Sequence, residues 1–136
     1  MNAWALAAGL DFLAAALHVG IVFGGPAWYR FFGAGERMAR MAERDHPWPT
    51  LVTLAIASGL CVFGAYAMAA GGRFPALPFA REVLMAITAV YAVRAVVPLA
   101  LSPWVASMRT SFMIISSLIC GVYALTHGMA LNSWTP

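Results

Sequence analysis

Asp11 and His18 stand seven residues apart in an apolar stretch. At about 100° per helical residue they share one face. Further on, Thr88, Tyr91, Arg94 and Pro98 fall on one face of a second apolar run, and Ser116, Cys120, Tyr123 and His127 on one face of a third. These residue types suit two kinds of chemistry. A carboxylate and two imidazoles can exchange protons near neutrality. A guanidinium can hold an anion by paired N–H bonds, with phenol hydroxyls completing the shell. The candidate ligand or proton site is therefore Asp11, His18, Thr88, Tyr91, Arg94, Tyr123 and His127. A His–Asp–Tyr–Arg set could also do acid–base work on a lipid. No recognisable catalytic spacing accompanies it, so catalytic residues stay unknown and the balance leans away from an enzyme.

The elements that carry these residues must be unusual, because the chain is 62% hydrophobic and only 10% charged. A soluble domain is about 45–50% apolar and about 25% charged. The mean hydropathy of +0.81 points to an integral membrane protein. A crossing helix needs roughly 20 mainly apolar residues. Four segments qualify, about 3–24, 49–71, 81–101 and 110–131, separated by "GGP", "HPWP", "GGRFPALP" and "SPW". The first carries an acid and no basic lead-in, so it reads as a retained helix and not a cleaved signal. The expectation is an all-α, four-transmembrane-helix bundle forming a single integral membrane domain over residues 1–136.

The tryptophans agree with this map. Trp28, Trp48 and Trp104 fall at one set of span ends, Trp4 and Trp134 at the other, as an aromatic belt requires. All eight basic residues are arginine, and the net charge is +3. No cluster stands clear of the membrane, so nucleic acid is not an expected partner. Arg30, Arg37, Arg40, Arg44 and Arg109 lie in the first and third loops, against Arg73 and Arg81 on the other side. Positive charge inside then puts both termini outside the cell membrane.

The first loop contains more than a turn. In "PAWYRFFGAGERMARMAERD" an aromatic cluster precedes a short amphipathic pattern. Met38, Met41 and Ala42 share one face, and Glu36 and Arg40 form a favourable i,i+4 pair. Two readings stand: a short interfacial amphipathic helix between helices 1 and 2 that docks on lipid or a partner, and a solvated connector. Its interfacial residues would be Trp28, Tyr29, Arg30, Arg37, Arg40 and Arg44.

Depth selects which polar groups could meet. At about 1.5 Å per residue, His18 lies about 8–9 Å and Arg94 about 10 Å from the cytoplasmic ends. Asp11 lies near the midplane and His127 near the outer face. Arg94 should therefore reach toward Asp11, with Tyr91 or Tyr123 completing the pair. Pro98 removes the donor to the Arg94 carbonyl, so the third span should kink there. Small residues Ala16, Gly20 and Gly24, and similarly Ala55 and Gly59, should let helices approach closely.

Several functions remain open on these residues. One is small-molecule or proton-linked binding or transport, in which a second copy would help a chain of four spans. Another is an accessory subunit of a membrane complex with a purely structural ion pair. A haem or redox role is weaker, because His18 and His127 differ by about 17 Å in depth. Cys61 and Cys120 lack any metal-binding spacing. No cofactor or metal is expected, and the lipid bilayer is the expected partner.

The run "GGPAWYRFFGAGERMARMAE", residues 24 to 43, resembles a group of small four-helix bacterial inner-membrane proteins known only as hypothetical. The resemblance extends through "ITAVYAVRA" and "SSLICGVYALTHG" over the whole chain. It implies a bacterial inner membrane and no activity. Motifs of the DoxX-like and TspO-like families are absent.

Overall fold

The computed structural model describes residues 2–134. They are all-α. The elements are α1 (Ala3–Phe31), α2 (Glu36–Glu43), α3 (Pro47–Ala70), α4 (Ala80–Leu101), a 3-10 turn (Ala106–Arg109) and α5 (Ser111–Asn132). Four of them, α1, α3, α4 and α5, are long and apolar enough to cross a membrane. α3 begins within "HPWP" and α4 ends just before "SPW", whereas α1 continues past "GGP" to Phe31, beyond the expected end near residue 24. Large apolar side chains lie open along every long helix, among them Leu13, Phe23, Leu51, Val96 and Leu125. Water would not tolerate that surface, and an acyl phase would.

The described chain divides into two compact units, one of residues 2–10 and 63–134, the other of residues 11–62. Each is described by itself.

In the first unit, α4 packs on α5. The buried side of α4 is Leu84, Ile87, Tyr91, Ala95 and Pro98, the 3–4 spacing of one helix face. On α5 it is Ser117, Tyr123, Thr126, His127 and Ala130. Thr110 starts α5, its side chain accepting the Met113 N–H at 3.2 Å. Trp4 and Trp134 meet edge to face, ring centroids 5.8 Å apart, so these two end residues do share one end. The α4 helix remains helical through Pro98 and ends at Leu101, without the interruption a proline can bring.

The second unit holds the interruption instead. α1 bends at Gly25, whose φ of 66° and ψ of −152° suit glycine alone. Pro26 then opens the last stretch of α1, a position where its missing N–H costs nothing. The helix closes with Gly33 in the left-handed region and the Ala34 N–H on the Tyr29 carbonyl, 2.9 Å. The core here is Ile21, Tyr29 and Ala39, with Phe32 and Ala42 against it. α2 thus turns Ala39 and Ala42 inward, with Met38 and Met41 half-buried beside them.

Tyr29, expected among the interfacial residues, is 2% exposed and packs in the core of this unit. Its hydroxyl accepts from Thr53 Oγ1 at 3.3 Å, tying α1 to α3. The small residues of α1 serve the chain's own indole: a Cβ built on Gly24 would lie 2.0 Å from Trp28, and one on Gly20 3.4 Å from it. The bend at Gly25 folds Trp28 back over these positions. A Cβ built on Gly59 would meet nothing within 4 Å among the described residues.

Candidate functional site

α4 and α5 build a polar centre inside two spans. Arg94 Nη2 donates to Ser116 Oγ at 2.8 Å, and Nη1 donates to Ser117 Oγ at 3.3 Å. Ser116 in turn donates to the Met113 carbonyl at 3.1 Å. The hydroxyl is therefore polarised twice, by the cation and by the carbonyl it serves. Where depth alone favours a carboxylate, the partners that α5 supplies to Arg94 are hydroxyls. The helical period puts Ser116 on this face; Ser117, one residue on, lies off it and is reached because a long arginine extends around a helix edge. Thr88 serves its own helix, donating to the Leu84 carbonyl at 2.8 Å.

Toward the other end of the same helix pair lies an aromatic cluster. The Tyr91 ring sits 5.0 Å from that of Tyr123, 5.5 Å from the His127 imidazole and 6.1 Å from Phe63. The Tyr123 hydroxyl donates to the Leu10 carbonyl at 2.7 Å, so α5 also grips the start of α1. His127 is fully buried. Residues 91, 123 and 127, drawn from different spans by the sequence pattern, are thus brought together. Phe63 joins them without any polar signal that could have announced it.

Asp11 and His18 belong to the second unit. Asp11 is fully buried there. His18 Nδ1 lies 2.7 Å from the Ala14 carbonyl. A carbonyl only accepts, so Nδ1 carries the proton and Nε2 faces away from that bond. Cys61, exposed, lies in this unit and Cys120, half-buried, in the first.

The second unit also has a water-facing polar group. Arg30 Nε and Nη2 hold both Glu36 carboxylate oxygens at 2.9 and 3.0 Å, and Nη2 also reaches Glu43 at 2.6 Å. Arg40 Nε donates to Glu36 at 3.1 Å, the i,i+4 pair the sequence predicts. One arginine therefore clasps both ends of α2. The guanidinium of Arg30, then that of Arg40, holds the Glu36 carboxyl down at about 2. Arg37 and Arg44 stay exposed on α2.

Four membrane-crossing helices and charged groups within them define a multi-pass membrane protein. No family model, curated protein or solved structure matches the chain.

Proposed function

We propose that the chain is a bacterial inner-membrane protein, both termini periplasmic, whose Arg94 centre binds a small anion in a proton-linked cycle. The reading belongs with the group of four-helix proteins that "GGPAWYRFFGAGE" resembles. The observation that carries it is the Arg94 head group held by two neutral hydroxyls inside a span. Hydroxyls solvate a cation without neutralising it. Ionisable groups at such depth mark ligand or ion pathways by default. Asp11, His18 and His127 add further ionisable groups within the spans. The lipid bilayer is the partner, and a second copy of the chain would complete a pathway that four spans cannot enclose.

The same bonds favour a second reading, that of an accessory subunit. Arg94 links α4 to α5, and interhelical hydrogen bonds of this kind also fix packing. Proteoliposomes with an internal pH dye and an imposed potassium diffusion potential separate the two. Protein-dependent pH change should be lost in Arg94→Ala and in Asp11→Asn. The same change in all three proteins removes both residues from any mechanism and leaves the structural role.

A further inference from the structure

α2 spends its apolar side on its own chain. Ala39 and Ala42 pack with Ile21, Tyr29 and Phe32, so that side is not offered to lipid. The rest of the helix follows from about 100° per residue. Glu36 and Glu43 come next around it, and both are held by Arg30. Then Arg40, Arg44 and Arg37 stand within about a 60° arc, opposite the buried side. Arg40 gives Nε to Glu36 and keeps its two terminal nitrogens. Arg37 and Arg44 enter none of these bonds and are exposed. The result is a ridge of three guanidiniums, about 10 Å long by helical rise, beside carboxylates that are already held.

The chain limits where this ridge can stand. Only four residues join Phe31 to Glu36, and three join Glu43 to Pro47. At no more than about 3.6 Å per residue they cannot carry α2 far from the ends of α1 and α3. Both of those helices are long and apolar enough to cross a membrane, so α2 lies at its surface. Phe31 and Trp48, at those helix ends, are 77% and 54% exposed, as rings at headgroup level are. The core cluster takes Ile21, from before the Gly25 bend, together with Ala39 of α2, so α2 packs against the flank of α1. The opposite side therefore looks outward from α1, over the surrounding leaflet. Asp45, in the turn after α2, is the one acid of this loop outside the Arg30 clasp. We infer that the Arg37–Arg40–Arg44 ridge binds the phosphate of an anionic phospholipid in that leaflet. A phosphodiester keeps its charge and offers paired oxygens to a guanidinium fork. Two spans hold the ridge beside such headgroups, so the lipid is present at high effective concentration without an encounter from solution. The inference stands independently of the Arg94 centre.

The test uses the whole protein in neutral maltoside micelles, titrated with phosphatidylglycerol or phosphatidylcholine and read by native mass spectrometry. Phosphatidylglycerol should bind the more tightly. Each arginine near an anionic surface contributes about a fivefold gain, so Arg37→Gln/Arg44→Gln should weaken phosphatidylglycerol about 25-fold and leave phosphatidylcholine as it was. Unchanged helical circular dichroism in that variant separates a lost site from a lost fold. Arg73→Gln/Arg81→Gln removes the same charge at the other ends of the helices and should leave phosphatidylglycerol binding nearly unchanged. Equal weakening by the two pairs would show a response to net charge alone and overturn the proposal. So would phosphatidylglycerol binding that survives Arg37→Gln/Arg44→Gln. Displacement of the lipid by inorganic phosphate at equal concentration would make the ridge a site for a soluble anion. A polyglutamate peptide bound more tightly than phosphatidylglycerol would give it a soluble acidic partner. Either result overturns the lipid.

Discussion

Arg30 gives its N–H groups to two carboxylates, Glu36 and Glu43, whereas Arg94 gives its own to two hydroxyls, Ser116 and Ser117. The first cluster is open to solvent, with side chains 40–67% exposed. Water and salt weaken every term in it, and the ions would be well solvated apart. The second lies within apolar helices, where a lost partner cannot be replaced by water. The stronger-looking cluster, with three ion pairs, should therefore matter less to folding than the one with none. Charge count misleads unless the solvent around the charges is counted with it.

The largest test of this contrast removes the hydroxyls. Ser116→Ala/Ser117→Ala leaves a guanidinium inside α4 without the donors' acceptors on α5. Hydrogen bonds to charged groups contribute about 1.5–3 kcal/mol, but bonds between helices in lipid average nearer 0.6 kcal/mol. A loss of about 2–4 kcal/mol should appear in unfolding from mixed micelles. Adding Arg94→Met should recover most of it, since an apolar residue of similar volume needs no partner. Removing both acceptors on the water-facing side, Glu36→Gln/Glu43→Gln, should shift the same unfolding curve much less. Equal losses in the two double variants would break the comparison.

A second test acts through the backbone that delivers Arg30 to α2. Gly25→Ala puts a Cβ at φ 66°, ψ −152°. Backbone strain of this kind costs about 1–3 kcal/mol. Straightening α1 would relieve it and would carry Arg30 and Trp28 away from their contacts. Unfolding should register the loss, and Trp28 should become more accessible to an aqueous quencher such as iodide. A smaller effect is expected where a neutral buried bond joins α1 to α3. Tyr29→Phe deletes the acceptor of Thr53 Oγ1 at the cost of about 1 kcal/mol, the ordinary worth of such a bond. Its place between the two arginine clusters would grade polarity against burial on one scale.

How much of this was legible in the chain follows from the range over which each signal acts. The spans were legible because twenty apolar residues in a row leave few alternatives, and "GGP" marks the end of the straight part of α1 to within a residue. The faces of α4 and α5 were legible because a helical period fixes which residues turn together. The Glu36–Arg40 pair was legible for the same reason. Arg30 on Glu43 is thirteen residues across a bend, and no period links them. Trp28 over Gly24 needs the particular dihedrals of Gly25, so a small-residue stripe looked like a helix contact. Tyr29 looked interfacial beside Trp28 and Arg30, but α2 covers it, and composition does not show coverage. Arg94 is legible as a problem and Ser116 as part of the α5 polar face; which group the guanidinium reaches is not, because a side chain of seven heavy atoms spans several candidates.

The smallest expected effect tests whether the Arg30 cluster is governed by water, as the contrast requires. Glu36 titrates at about 2 in the folded protein, below its ordinary value of 4.5, because Arg30 and then Arg40 favour its charged form. A lowered carboxyl stabilises the fold fully above the ordinary value. The contribution shrinks as pH falls below 4.5 and is gone once pH passes below about 2, where both folded and unfolded chains hold the proton. Carbon-13 resonance of the Glu36 carboxyl should follow that midpoint. Arg30→Gln should raise it more than Arg40→Gln, since Arg30 is the larger cause. A molar concentration of sodium chloride should raise it too, because exposed pairs are screened at a Debye length of about 3 Å. A midpoint indifferent to salt would mean that the cluster is shielded from water. The two arginines would then differ in their partners alone, and the solvent argument that separates them would fall.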